Sequence, residues 1–512
     1  MLILLTVAAF LTLFGLASLL AAFSYGLFAA HAKGEPSNAL PPAEATEIGR
    51  AAMRLSEGRK GRTGMAMLSE NLDAFTARVL TARHAGQSLD LMYYIWHSDL
   101  TGRLLVNEVI KAADRGVRVR LLLDDINSRG SDTAYLSLDS HPNIAVRLFN
   151  PSRARRGTLR RGLEMTLRAF SATRRMHNKA WIADGTVAIV GGRNIGDEYF
   201  DAAETNFQDL DLALFGPAVQ ETEAVFDAFW NSDAAIPIRA LARLRKHRLR
   251  RLRKSLARLS AGDRVAPYAA RVRKRASLND MFDGPDAIQW TQAVEVVSDP
   301  PEKAAGAKRE NWLLSQLMPA ITSTEHRLEV VSPYFIPGDE GTEQLLGMRS
   351  RGVAVSVLTN SLAATDVAAV HGAYSRYRTR LLAVGVRLFE LRPQVSNLEL
   401  QMIGSKGASL HTKAFTVDGR LGFIGSFNFD PRSASLNTEM GVLFEQCDLA
   451  AKMSKEFDRQ TSPDVSYRLI LDSGRLCWVG GENESFHRDP EAGQGRRLLA
   501  WAIGLLPIES QL

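Results

Sequence analysis

Two stretches of the chain carry the same reactive side chains in the same order. The first holds His177, Lys179, Asp184, Gly191, Gly192 and Asn194; the second holds His411, Lys413, Asp418, Gly425, Ser426 and Asn428. Both fit H-x-K-x4-D-x6-G-[GS]-x-N without a gap. Imidazole is a good nucleophile near neutral pH and also a general acid or base. Ammonium and amide groups neutralise and hold phosphoryl oxygens without a metal. Two such sets brought together suit displacement at a phosphodiester. A lone His-x-Lys on a strand is ordinarily a solvated pair, but two copies in matched register are not explained that way.

Each copy reads as a β-hairpin closed by Asp-Gly, at 184–185 and at 418–419, with apolar residues on either side. Side chains two apart on a strand share a face, so His177 lies beside Lys179 and His411 beside Lys413. A two-residue turn sets position 177 opposite Gly192 and His411 opposite Ser426, with Asn194 and Asn428 further along the same face. The small Gly or Ser leaves room for substrate. Asp184 and Asp418 belong to the motif, but their place at turns also admits a structural role. The duplication extends upstream. Apolar strands at 89–96 and 328–335 are each followed by a helix and a second strand, at 115–124 and 351–359, and Val146–Phe149 recurs as Val386–Phe389. This order predicts two α/β domains, each a mixed sheet covered by helices, and 512 residues suffice for both.

The doubled motif resembles that of the phospholipase D superfamily. The resemblance implies two α/β halves about a pseudo-twofold axis, with one active site at their seam. It implies that one His attacks phosphorus to form a phosphohistidine and that the other moves the proton; which His attacks stays open. It also implies a downstream carboxylate orienting each His, for which Asp209 and Glu439 stand in the right places, although Asp211 shares a strand face with Asp209. Tyr94-Ile95-Trp96, Gly191–Tyr199, Leu358–Val367 and Gly425–Ser433 further resemble bacterial cardiolipin synthases, most closely their C-type branch. This implies transfer of a phosphatidyl group to the glycerol hydroxyl of phosphatidylglycerol, from phosphatidylethanolamine or a second phosphatidylglycerol. The sequence does not decide the donor. A phospholipase D or nuclease using water is the nearest alternative, and a catalytically dead lipid-binding scaffold is a third. Intact His, Lys and Asn in both copies weigh against the scaffold. No metal, cofactor or nucleic-acid partner is expected.

Residues 1–30 carry no charge. As a helix they span about 45 Å, enough to cross a bilayer. A signal peptide is the rival, but no basic region precedes the apolar run. Lys33, Arg50 and Arg54 follow the run, which favours a catalytic body on the cytoplasmic face of the bacterial inner membrane. The expected organisation is an anchor at 1–30, a linker at 31–65, a first domain at 66–233, a basic connector at 234–290, a second domain at 291–475 and a membrane-proximal tail at 476–512. The stretch 234–262 holds ten Lys or Arg and no acid, more than the whole net charge of +7. Its Ile238, Leu241, Leu244, Leu249, Leu252, Leu256 and Leu259 fall within about 140° of a helical wheel. That pattern suits either an anionic membrane surface or packing on the protein body. The segment 153–175 has eight arginines and one acid and would gather headgroups or form a surface loop. The tail Arg496–Pro507 is apolar with flanking arginines and too short to span; it reads as an interfacial foot or a packed helix. Cys447 and Cys477 have no disulfide or metal spacing, and there is no Gly-rich nucleotide loop.

Overall fold

The computed structural model describes the chain apart from residues 156, 243–247, 261, 275–277, 283, 285–286, 307–310, 394–406, 482–483, 507 and 512. The first half supplies β1 (Thr63–Leu68), β2 (Ser88–Tyr93), β3 (Arg118–Asp124), β4 (Ile144–Phe149), β5 (Ala180–Ala183), β6 (Val187–Gly191), β7 (Thr205–Gln208), β8 (Asp211–Phe215), β9 (Ala235–Pro237) and β10 (Gln289–Thr291). The second supplies β11 (Val294–Ser298), β12 (Arg327–Val331), β13 (Ala354–Asn360), β14 (Arg387–Leu391), β15 (Gly407–Leu410), β16 (Ala414–Val417), β17 (Leu421–Gly425), β18 (Met440–Glu445), β19 (Ser466–Asp472), β20 (Arg475–Val479) and β21 (Ser485–Phe486). One sheet runs β10-β1-β8-β6-β5-β2-β3-β4-β9 and the other β11-β18-β17-β16-β12-β13-β14-β19-β20-β21. From β1 and β11 onward the two orders correspond strand for strand as far as β9 and β19.

Both sheets are mixed. β2, β3 and β4 pair in parallel, as do β12, β13 and β14, while the hairpin strands beside them are antiparallel. Parallel neighbours need a long crossover. The helices Leu100–Asp114 and Gly338–Ser350 provide the equivalent ones. Asp99 caps the first by accepting from the Gly102 amide. Each half has its own core, and a third cluster crosses the seam, packing Met92, Leu122, Val190 and Leu212 with Ala414, Ile424, Met440 and Val442. Burying each such side chain is worth about 1.5–3 kcal/mol, so the two lobes hold a fixed relation.

The hairpins differ from the expected two-residue turns. Ala183 pairs with Val187 and Val417 with Leu421, leaving three residues in each loop. Asp184 (φ 53°), Gly185 (φ 63°), Asp418 (φ 53°) and Gly419 (φ 63°) are all left-handed, which Gly adopts freely and Asp tolerates. The extra residue shifts the register by one, so the expected 177–192 and 411–426 pairings do not form. The aspartate carboxylates face away from the motif histidines. Asp184 accepts from the amides of Gly86, Gln87 and Ser88, and Asp418 from those of Glu325, His326 and Arg327. Each thus fastens its hairpin tip to the start of the neighbouring central strand, a placement that fits the structural role their turn positions also admitted.

Several elements also fall across the expected boundaries. β9 lies within the expected connector and β10 at its end, and both complete the first sheet; β20 begins at the edge of the expected tail and β21 lies within it, and both extend the second. The expected linker is docked: the Ser37 and Ala39 amides donate to Asn231 and Asp227, and Arg120 donates to the Ser37 carbonyl. In the basic segment, the helix Arg248–Ser260 buries Leu256 and packs Leu249, Leu252 and Leu259 on the first core. Its apolar face therefore meets the protein; Leu244 lies outside the described residues. The arginines of 153–175 are mostly fastened, Arg155 and Arg161 to Asp125, Arg168 to Glu164, and Arg174 to the Lys303 carbonyl; Arg156 lies outside the described residues. The N-terminal helix Leu2–Ala32 includes a stretch, Leu4–Ala32, long and apolar enough to cross a membrane. Near its end Arg153 lies 4.7 Å from the Phe28 ring centre.

Candidate active site

The strand ends deliver both histidines to the seam by the same device. Asp124, the last residue of β3, accepts from the Met176 amide at 2.9 Å, and Asn360, the last of β13, accepts from the Leu410 amide at 2.9 Å. The residue before each His is thereby held by its own lobe. The next bond goes to the other lobe: the His177 amide donates to the Thr438 carbonyl and the His411 amide to the Gln208 carbonyl, both at 2.8 Å. β15 pairs in parallel with β7 just before His411, and Met176 bridges Thr438 just before His177.

Each imidazole meets the carboxylate of the opposite half. His177 Nδ1 lies 2.8 Å from Glu439 Oε2, and His411 Nδ1 lies 2.6 Å from Asp209 Oδ2. His177 Nδ1 is also 3.2 Å from the Ser426 carbonyl. Both neighbours accept, so the proton sits on Nδ1 and Nε2 carries the free lone pair. Glu439 is fully engaged, taking the Ser426 hydroxyl on Oε2 and the Ser433 hydroxyl at 2.9 Å on Oε1. Ser426 therefore serves His177 and not, as its motif position implied, His411. On the other side Gly192 makes the room: a Cβ there would sit 2.3 Å from Asp209 Oδ1. Asp211, the alternative orienter, is committed to Arg78 and Arg193 in the first core.

Lys179 and Lys413 are buried and donate to the His177 and His411 carbonyls, with Lys413 Nζ also 3.1 Å from His411 Nδ1. Burial draws both ammonium pKa values down. Burial first, then Lys179 and Lys413 against the pull of Glu439, draws His177 down to about 4. His411 falls well below the ordinary value through burial, with Lys413 and Lys179 adding to it. Both imidazoles therefore stand neutral beside two buried lysines, and an arriving phosphodiester anion would favour the charged form of each lysine.

The two motif asparagines diverge. Asn194 Oδ1 accepts from the Ile95 amide at 3.1 Å and its Nδ2 donates to Tyr199 Oη at 2.9 Å. It braces the wall, in keeping with the supporting side of its expected role. Asn428 is buried with its Oδ1 unpartnered; turned over, the same amide presents a donor to a phosphoryl oxygen.

Several contributors were not singled out by the motif. Asp299 accepts from the Glu439 amide and from Lys303 Nζ, which also donates to the Ser433 carbonyl, so a buried ion pair steadies the loop carrying Glu439. Tyr94 stands edge-on to His177 at 4.8 Å, and Tyr199 and Phe207 flank His411 at 5.1 and 4.9 Å. Tyr94 follows β2 and His177 precedes β5, and the pairing of these two strands brings the rings together.

The fold and this crossed site define a phosphodiester-transferring enzyme of the phospholipase D superfamily. Residues 80–230 and 317–461 match the family described as cardiolipin synthase, PLD-like domain. The chain is 40% identical to cardiolipin synthase C of Escherichia coli over 90% of this chain and 98% of that protein. It is 25% identical to a cardiolipin synthase of Staphylococcus aureus over 80% of this chain and 70% of that one. The crystal structure of a phosphatidylserine synthase from Haemophilus influenzae shares the fold, with a TM-score of 0.58 at 13% identity, covering 91% of this chain and all of that one. The chain belongs to the cardiolipin synthase family, whose members are phosphatidyltransferases.

Proposed function

We propose that this protein is a membrane-anchored cardiolipin synthase that passes a phosphatidyl group through a phosphohistidine to the glycerol hydroxyl of phosphatidylglycerol. The crossed pairing of each imidazole with the other lobe's carboxylate carries the reading. His177, with its proton on Nδ1, attacks phosphorus through Nε2. His411 takes up a proton on Nε2 as the anionic substrate enters; the P–N bond then forms as the P–O bond to the leaving alcohol breaks, and His411 gives that proton to the departing oxygen and returns to its neutral form. His411 then takes the proton from the incoming glycerol hydroxyl, whose oxygen displaces His177 from phosphorus. Lys179 and Lys413 balance the phosphoryl charge, so turnover is expected to persist in chelator. The imidazoles are only 7% and 8% exposed, which favours a lipid alcohol over water as acceptor. The donor is phosphatidylethanolamine or a second phosphatidylglycerol. The N-terminal apolar helix, with Lys33, Arg50 and Arg54 behind it, favours the cytoplasmic side of a bacterial inner membrane.

The test is lipid analysis of the purified protein in mixed micelles of phosphatidylglycerol, alone and with phosphatidylethanolamine. Cardiolipin is the expected product, with glycerol or ethanolamine naming the donor. Phosphatidic acid as the only lipid product would replace this reading with a hydrolase.

A further inference from the structure

The helix Gln494–Gly504 is fixed to the second lobe by its small residues. A Cβ on Gly372 would lie 2.3 Å from the Ala500 carbonyl oxygen, and one on Gly504 would lie 3.0 Å from the Gly372 carbonyl oxygen. Arg496 donates to the Leu362 and Thr365 carbonyls, and Arg497 to the Asp489 carbonyl. Backbone-to-backbone packing turns the large apolar side chains outward: Leu498 and Trp501 are each 64% exposed and Leu505 65%. Beside them opens a groove of about 670 Å³ whose lining includes Arg475, Trp478, His487, Arg488 and Trp501, with Arg497 and Asp489 also on its wall. The Asp489 carboxylate is already engaged by His371 and Arg378. Among the described residues Arg475 and Arg488 have no acidic partner. The groove therefore offers uncompensated guanidinium charge next to exposed tryptophan.

A second exposed apolar surface is the N-terminal helix. That helix packs on Thr158–Leu167, which leaves Leu159 and Leu163 exposed. The first lobe's Thr173 and the tail's Gln511 are joined through Arg432, which donates to both carbonyls. Arginine and tryptophan beside outward leucines suit the headgroup region of a bilayer.

We infer that Gln494–Gly504 lies in the membrane interface as a second foot, and that the Arg475–Arg488 groove takes the phosphate of an anionic lipid headgroup. The inference rests on the membrane-anchored reading above and adds a site remote from the two histidines. Its occupant is a bilayer containing anionic lipid. Pro507 lies outside the described residues, and the foot does not depend on it.

The test uses the full chain with Cys447→Ser and Leu498→Cys, labelled at position 498 with an environment-sensitive fluorophore and reconstituted in vesicles containing quencher-bearing lipid. Cys477 is buried. Quenching is expected in vesicles of phosphatidylcholine with phosphatidylglycerol. In the Arg475→Glu/Arg488→Glu variant, the phosphatidylglycerol fraction giving half-maximal quenching should rise roughly tenfold, since each cation near an anionic surface counts. A probe that stays in water in the anionic vesicles overturns the foot, and a double variant indistinguishable from its parent overturns the groove. Inorganic phosphate producing the same quenching in pure phosphatidylcholine vesicles would reassign the groove to free phosphate. Cardiolipin formation in detergent is scored separately, so an unquenched but active protein sinks only this inference, and a quenched but inactive one sinks only the proposed function.

Discussion

At the scale of residues, each side chain of the crossed site has a separate duty, and substitutions should separate them. His177→Ala and His411→Ala are each expected to lower cardiolipin formation by at least about a thousandfold; near-normal turnover in either removes the two-histidine assignment. Glu439→Gln keeps the shape but cannot hold the Nδ1 proton in the same way, and a loss of about 10²–10⁴-fold is expected with the fold intact. Gly192→Ala should act through Asp209, because its methyl occupies the carboxylate's place. Its loss of turnover should approach that of Asp209→Asn and should not add to it when the two are combined. Wild-type turnover in Gly192→Ala would show that Asp209 has another place to go. The histidines, lysines and both orienting carboxylates were legible from spacing and family resemblance. Their crossing was not, because His177 and Glu439 lie 262 positions apart and no local pattern encodes which half faces which. Nor was the split between Asn194 and Asn428, since identical motif positions meet different neighbours.

At the scale of elements, the motif aspartates are bonded to backbone amides of the neighbouring strands. Burial by itself would raise the Asp418 carboxyl, but three backbone amides at the start of β12, together with the nearby His326, outweigh it and hold the carboxyl below the usual range. Asp418→Ala leaves the amides without that acceptor and is expected to destabilise the fold by about 1–3 kcal/mol, while kcat/KM of the folded fraction stays within a few-fold of wild type. A collapse of kcat/KM with unchanged Tm would return Asp418 to the chemistry. The strands themselves were readable from apolar runs and turn residues. The register was not, because Asp-Gly serves both two- and three-residue loops and one added residue shifts every pairing by one. The helix Arg248–Ser260 shows a related ambiguity. A basic helix with a leucine face looks the same whether its partner is lipid or protein, and only the position of the first core decides.

At the scale of the molecule, two similar lobes close around groups that neither lobe completes alone. Closing them buries imidazoles in their neutral form, which couples stability to pH. Above pH 6.5 neither the folded nor the unfolded chain protonates His177. Between 6.5 and about 4 the unfolded chain takes the proton and the folded one does not, so stability should fall as pH is lowered through that window, by roughly 3 kcal/mol for this group. His177→Gln should lose that part of the slope in Tm against pH. Identical slopes in wild type and variant would place the imidazole's folded pKa at its ordinary value. The duplicated architecture was legible because both halves repeat the same strand and motif order. The seam's extent, the docked linker and the late strands β20 and β21 emerge only when the whole chain is in place.

The central claim is tested most directly by isolating the covalent intermediate. Protein mixed with lipid carrying a labelled phosphate and quenched within a turnover should hold the label as an acid-labile phosphohistidine in the peptide containing His177. The label should be absent from His177→Ala. Label on the His411 peptide alone would reverse the two roles, and the absence of any phosphohistidine while cardiolipin accumulates would contradict the account.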